Sequence, residues 1–298
     1  MKRIRKIAVI VLAVLTAVAL FPGNVTAEGD KSSVSAAAGM KFKAIDLGFE
    51  QVVGLTEDGK VVAWGNNDYG QCDVPEDLKG VVEVTAGGGH VVALKEDGEI
   101  VAWGRNDYGQ CDVPEGLTGV IKITTGSTHT LAIKSDGTVI AWGDNRFGKC
   151  EVPEGLKDVI DIAAGESHSV AVKADGTVVA WGNNFYDQCN VPEGLTDVCK
   201  VNSYWHHTLA VKNDGTVTGW GLNNWGQATV WEDFTGVTSA AAGAFFSLVL
   251  KEDGTVGAWG WMEDDEIMSY EQALSLMINV IVRDGNVLVN VGPDADGE

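Results

Sequence analysis

A fixed step of 39 residues governs this chain. Trp64, Trp103, Trp142, Trp181, Trp220 and Trp259 follow one another at that interval, each with a Gly behind it. His90, His129, His168 and His207 keep the step, as do Cys72, Cys111, Cys150 and Cys189, and Pro75, Pro114, Pro153 and Pro192. An Asp-Gly pair recurs in register at Asp58, Asp97, Asp136, Asp175, Asp214 and Asp253. Composition does not generate six in-register copies. A repeat of this length marks an architecture in which each unit is one small piece that buries its faces only by stacking on its neighbours.

Each unit reads as short strands joined by turns. In "HVVALKEDGEIVAWG", residues 90–104, two apolar runs flank Asp97-Gly98, the pair suited to the positive backbone angles of a tight hairpin. "VVEVTAG" precedes it as a further strand, and "QCDVP" follows as a fourth, edge-like segment closed by Pro. Along the middle strand His90, Val92 and Leu94 point one way and Val91 and Ala93 the other, with Ala kept at Ala132, Ala171 and Ala210. Bulk on one face and Ala on the other predicts sheets buried on both sides. The fold class is therefore all-β: a β-propeller of about six four-stranded blades over residues 42–260, with five full repeats and the start of a sixth.

The units "VVAWGNNDYGQCDVPEDL" and "AAGESHSVAVKADGTVVAWG" resemble the short repeats of the regulator of chromosome condensation family. The likeness is strongest to its bacterial secreted branch, which includes the propeller-type β-lactamase inhibitory proteins. The resemblance implies a propeller, usually of seven blades, that acts through its loop faces. Inhibition of a β-lactamase is one role it implies.

Repeated positions hold a scaffold together, so binding is sought where loops carry side chains that are costly to expose. After each Trp-Gly comes an Asn suited to tying a turn, at Asn67, Asn106, Asn145, Asn184 and Asn223. An aromatic follows: Tyr69, Tyr108, Phe147, Tyr186 and Trp225. One aromatic per blade either forms a binding face or packs over its own blade edge. The fifth repeat breaks pattern more sharply. Where its predecessors read "GGGH", "GSTH" and "GESH", it reads "SYWHH", placing Tyr204, Trp205 and His206 in spots otherwise small or polar. The sixth reads "GAFF", with Phe245 and Phe246. If these side chains project, they form an apolar patch of the kind monomers seldom leave uncovered.

The in-register histidines share the bulky face of the middle strand and are expected to hydrogen-bond to backbone inside the core. No second His or carboxylate falls at ligand spacing, so no metal is expected. No phosphate loop or nucleophile motif occurs in the repeats, and no cofactor is called for. The cysteines, Cys199 included, are odd in number and one per repeat, which suits small core residues better than a disulfide framework; a Cys189–Cys199 bridge is the alternative.

The first 27 residues, basic "MKRIRK", an apolar run and Val25-Thr26-Ala27, read as a secretory signal peptide, with 28–41 a flexible lead-in. Its removal takes four basic residues and no acid, moving the net charge from −21 to −25. Such a surface repels phosphate backbones, which excludes nucleic acid as a partner. The expectation is an exported bacterial monomer, free of the membrane once the leader is cut, with a protein or glycan ligand on its loop face.

The repeat stops after Trp259-Gly260. "SYEQALSLMINVIV", residues 269–282, has helix spacing and a capping residue, and "NVLVNVGP" reads as a strand, predicting a helix-strand tail over 261–298. From "WGWMEDDEIMSYEQ" to "DGNVLVNVGPDADGE" this tail is similar to the end of the α-L-fucosidase catalytic barrel. That family implies a retaining mechanism with two carboxylates on earlier barrel strands. The chain supplies no such strands, and Asp264, Asp265 and Glu266 match no catalytic motif, so no catalytic residue is assigned. The leading expectation is a non-catalytic propeller. A piece or accessory module of a fucosidase-like hydrolase is the rival.

Overall fold

The computed structural model describes residues 41–49, 51–230 and 234–260, together with the strands 279–283 and 286–290. The leader and the proposed helix residues 269–278 lie outside the described residues. The repeats fold as six antiparallel sheets, each of three strands in chain order. Blade 1 is β1 (Phe42–Leu47), β2 (Gln51–Thr56) and β3 (Val61–Gly65), and blade 2 is β4 (Val81–Ala86), β5 (His90–Lys95) and β6 (Ile100–Gly104). Blade 3 is β7 (Val120–Thr125), β8 (His129–Lys134) and β9 (Val139–Gly143). Blade 4 is β10 (Val159–Ala164), β11 (His168–Lys173) and β12 (Val178–Gly182). Blade 5 is β13 (Val198–Tyr204), β14 (His207–Lys212) and β15 (Val217–Gly221), and blade 6 is β16 (Val237–Ala242), β17 (Phe246–Lys251) and β18 (Val256–Gly260).

Two expectations need correcting. The blades have three strands, because the "QCDVP" segment spends its hydrogen bonds locally, as in Asp73 N to Gly70 O and Val74 N to Cys72 O, and Pro75 has no N–H for a ladder. In the tail, the last residues assigned to a helix are a strand instead. Asn279–Arg283 (β19) pairs antiparallel with Asn286–Asn290 (β20), Arg283 opposite Asn286. The β-branched run "NVIV" on one side of Asp284-Gly285 and "NVLV" on the other favour a hairpin over helix periodicity.

The core lies between blades. Val92 and Leu94 of β5 pack against Val120, Ile123 and Ala132 of blade 3, while Val91 and Ala93 of the same strand face Val53 and Leu55 of blade 1. Ala93, Ala132, Ala171 and Ala210 are fully buried because the bulk of the preceding blade presses on them. From blade 2 to blade 6 the repeated Trp is anchored by its ring nitrogen. Trp103, Trp142, Trp181, Trp220 and Trp259 donate from Nε1 to the carbonyls of Gln71, Gln110, Lys149, Gln188 and Gln227 at 3.0–3.1 Å. A buried Trp removes roughly 200 Å² from water, about 5 kcal/mol on an upper-bound accounting, and the indole donor leaves no unpaired N–H behind.

The histidines bridge blades too, through side chains and not through backbone. Nε2 of His90, His129, His168 and His207 meets the hydroxyls of Thr130, Ser169, Thr208 and Ser247 at 2.9–3.2 Å, in each case on the following blade. Ser169 and Ser247 pass their own hydrogens to Lys149 O and Gln227 O at 2.8 and 2.7 Å, so the imidazole is the donor. Blade 1 has Gln51 in place of His. It donates to Gly87 O at 2.8 Å, and blade 2 correspondingly has Val91 where a hydroxyl would stand. All five cysteines are free thiols. They are half-buried and not core fillers: Cys72, Cys111, Cys150 and Cys189 donate Sγ–H to the carbonyl six residues back at 3.1–3.4 Å.

Candidate functional site: an aromatic loop face around an axial channel

Two sets of loops share one end of the blades. In blades 2 to 5 the loop leaving the third strand is tied to the turn between the first two, by Arg105 N to Gly89 O, Asp144 N to Thr128 O, Asn183 N to Ser167 O and Leu222 N to His206 O, at 2.8–2.9 Å. Inside each loop the polar side chains turn inward. Asn67 Oδ1 accepts from Cys72 N at 2.7 Å, and Asn106, Asn145, Asn184 and Asn223 repeat that bond. The Gln amide oxygens of Gln71, Gln110, Gln188 and Gln227 accept from the backbone N–H of the aromatic residue itself at 2.7–2.9 Å. The aromatic is thus held outward on a rigid turn. Tyr69, Tyr108, Phe147, Tyr186 and Trp225 are 49, 40, 57, 46 and 48% exposed.

These side chains meet one another from blade to blade. Arg105 lies over the Tyr69 ring at 4.7 Å and Arg146 over Tyr108 at 4.6 Å. Phe147 meets Phe185 edge-on with ring centroids 6.2 Å apart. Phe185 is 79% exposed and was not among the sequence candidates, because no other repeat has an aromatic at its position. Beyond it the two candidate sets join. Tyr186 stacks on His206 at 4.8 Å, Trp205 meets Phe245 at 5.1 Å, and Trp225 closes on Phe245 at 6.3 Å. Blades 4 to 6 therefore carry one continuous aromatic run.

Tyr204 does a different job. The glycines at its position in other blades let neighbouring turns touch: a Cβ on Gly87 would stand 2.6 Å from Gly126 O, and one on Gly165 2.8 Å from Trp205 O. With Tyr there instead, β13 runs one residue longer than the other first strands and Tyr204 pairs with His207. The turn is cut to Trp205 and His206, and Trp205 sits at φ 48°, which is rare for a bulky residue. Tyr204 packs against the core between blades 5 and 6, which includes Leu209, Ala240 and Ala242. Trp205, His206 and Phe245 are only half-buried, whereas Phe246 turns into blade 6. His206 Nε2 sits 3.0 Å from Glu166 Oε2; burial holds its imidazole below the usual range against the pull of that carboxylate.

A buried ion pair replaces the Gln on the loop leaving blade 3. Lys149 Nζ reaches Asp144 Oδ2 at 2.8 Å and Thr128 Oγ1 at 3.0 Å. Burial opposes ionisation of Asp144, but bonds from Arg146 and Lys149 outweigh it and hold the carboxyl well below the ordinary range.

Between the turns, the first strands of all six blades line a channel of about 360 Å³. Their outward backbone donors are capped by side chains of the preceding blade. Ala86 N donates to Asp46, Val201 N to Asp161 and Ala242 N to Asn202 at 2.7–2.8 Å, and Ile123 N to Glu83 at 3.2 Å. Lys122 is paired with Asp161. Burial pushes the Glu83 carboxyl up to about 7. Among the described residues no group of three or more His, Cys, Asp or Glu could hold a metal ion.

Stacked, radially ordered sheets with an axial channel and one elaborated loop face define a β-propeller. The repeat model for the regulator of chromosome condensation (RCC1) matches residues 42–71, 81–110, 120–149, 159–188 and 198–227. The chain belongs to that repeat family. Among solved structures it is similar to yeast RCC1 (Prp20) bound to Kap60, with 21% identity, a TM-score of 0.61, and coverage of 73% of this chain and 69% of that one. Prp20p of Saccharomyces cerevisiae alone gives 21% identity and a TM-score of 0.63 over 78% and 73% of the two chains. The ectodomain of the receptor kinase CR4 of Physcomitrella patens gives 22% identity and 0.62 over 74% and 62%. These likenesses establish the fold. No curated protein matches the chain.

Proposed function

We propose that the chain is an exported, non-catalytic propeller that binds a protein through its aromatic loop face. The observation that carries this is the continuous run Tyr186–His206–Trp205–Phe245–Trp225, flanked by Phe147 and Phe185. Aromatic side chains supply large contact area at small entropic cost, and such residues dominate interface energies. Arg105 and Arg146, stacked on Tyr69 and Tyr108, form the polar side of the same face. Sugar recognition would need outward hydrogen-bonding groups beside the rings. The loop Asn and Gln side chains are instead turned inward, which favours a protein over a glycan. Two of the similar structures also bear on the reading: one holds yeast RCC1 with Kap60, and one is a receptor ectodomain. Export rests on the leader-like first 27 residues.

The test is capture of partners from culture supernatant by the immobilised protein, beside a glycan array, a β-lactamase inhibition assay and an aryl α-L-fucoside assay. One protein retained by the wild type and lost with Trp205→Ala plus Phe245→Ala is the expected result, and a β-lactamase as that protein would name the partner. Glycan binding without protein capture, or turnover of the fucoside, would overturn the proposal and in the second case favour the hydrolase-related rival.

A further inference from the structure

The axial channel opens beside the aromatic run, with Trp205 common to both, and its wall has a consistent chemistry. In a β-strand the N–H and C=O of one residue point the same way. The N–H groups of Ala86, Ile123, Val201 and Ala242 are already spent on Asp46, Glu83, Asp161 and Asn202. The carbonyls of those same channel-lining residues keep their acceptor capacity. Lys122, the one lysine lining the channel among the described residues, is ion-paired with Asp161. At the loop end, Glu166 lines the mouth and has the imidazole of His206 as its neighbour. The Tyr204 hydroxyl is shut off from solvent without a hydrogen-bond partner, near enough to Asp46 and Glu166 to feel both carboxylates. The wall is therefore rich in acceptors and carries three carboxylates, Asp46, Glu83 and Glu166, against one lysine among the described residues.

We infer that this channel binds an elongated primary-ammonium group, supplied either by a free polyamine or by a lysine side chain of a protein seated on the loop face. An ammonium offers three donors on a slim stem, which matches carbonyls and carboxylates spaced along a narrow bore. A bare metal ion fits less well, since no set of three or more ligating side chains gathers among the described residues. Glu83 sits among Asp46 of blade 1, Lys122 of blade 3 and Asp161 of blade 4, and burial keeps part of its population protonated near neutrality. Ligand uptake at pH 7 therefore expels a proton.

The test is calorimetric titration of the full chain with spermine and with trilysine at about 0.15 M salt, where surface attraction is largely screened. One-to-one binding is expected, with a heat that depends on the ionisation enthalpy of the buffer. Asp46→Asn and Glu83→Gln should each weaken binding about tenfold, the scale of one charge-assisted contact. Both variants keep an amide oxygen for the backbone cap, as Asn202 does naturally on blade 5. Retention of the wild-type melting curve verifies their fold. Binding of spermine alone assigns the site to free polyamines, and binding of trilysine alone to a partner's side chain. Trp225→Ala should leave both titrations unchanged, so loss of partner capture and loss of ammonium binding report separately. Absence of binding, many weak sites displaced by magnesium, or equal affinity in both variants would overturn the inference.

Discussion

Acid should unfold this propeller through its histidines. His90, His129, His168 and His207 are fully buried, and Nε2 of each is hydrogen-bonded to a hydroxyl on the next blade. Nδ1 of all four is shut from water without a hydrogen-bond partner, so a second proton has nothing to bond to. Burial pushes His90 down to about 4 and His168 and His207 to about 3, and holds His129 well below its ordinary value. The unfolded imidazole titrates near 6.5. Between that value and the folded ones, the unfolded chain holds more protons than the native state, so stability is full above pH 6.5 and falls as the pH drops. Each histidine then costs about 1.2 kcal/mol between pH 7 and 5.5, or about 5 kcal/mol for the four. Glu83 works in the opposite sense. Its raised carboxyl takes up a proton in the folded state over the same interval and returns about 1.5 kcal/mol. The net expected loss is about 3–4 kcal/mol, a large share of the stability of an ordinary domain. Urea unfolding at the two pH values measures it. A variant with His129→Gln and His168→Gln copies the Gln that blade 1 already uses and should lose about half of the histidine effect. Equal stability at both pH values, or a double variant with the full acid sensitivity, would refute the reasoning.

Three further outcomes follow from the packing. Trp220→Phe keeps an aromatic ring but removes the Nε1 bond to Gln188 O, and should lower unfolding free energy by about 1–3 kcal/mol in urea titration. Gly87→Ala places a Cβ 2.6 Å from the Gly126 carbonyl, and should destabilise by about 1–3 kcal/mol, read as a lower melting temperature. Burial pushes the thiols of Cys72, Cys111, Cys150 and Cys189 up to about 11, so they should react with a maleimide at pH 7.5 far more slowly in the native protein than in denaturant.

Much of the scaffold could be read from the repeat. The hairpins on Asp-Gly, the two-sided middle strand and the Asn-tied loops are local consequences of side-chain period and turn chemistry, and these are visible in one copy. What escaped the reading depends on the next copy. The histidine partners lie 40 residues on, although the signal was present: a hydroxyl residue follows His129, His168 and His207 and also Phe246. It is missing after His90, the position that faces Gln51. The meeting of Tyr186 and Trp225 with Trp205 and Phe245 was equally hidden, since the two sets were recognised by separate rules and only the shared face joins them. Phe185 escaped because it keeps no period. The tail misled for a reason of its own: alternating and helical spacing coincide over a short apolar run, and the Asp-Gly pair in the sequence between the two runs is what decides it.

The bond from each histidine to the following hydroxyl has a direction. Blades 3, 4 and 5 both receive and send, so any of them could be duplicated in tandem and every junction would still close. Blade 2 only sends and blade 6 only receives, because Val91 has no hydroxyl and Phe246 no donor. The array thus has the grammar of a polymer with an initiator, interchangeable monomers and a terminator. A longer or shorter propeller could be assembled from this chain by copying or deleting its middle words, provided the first and last are kept in place.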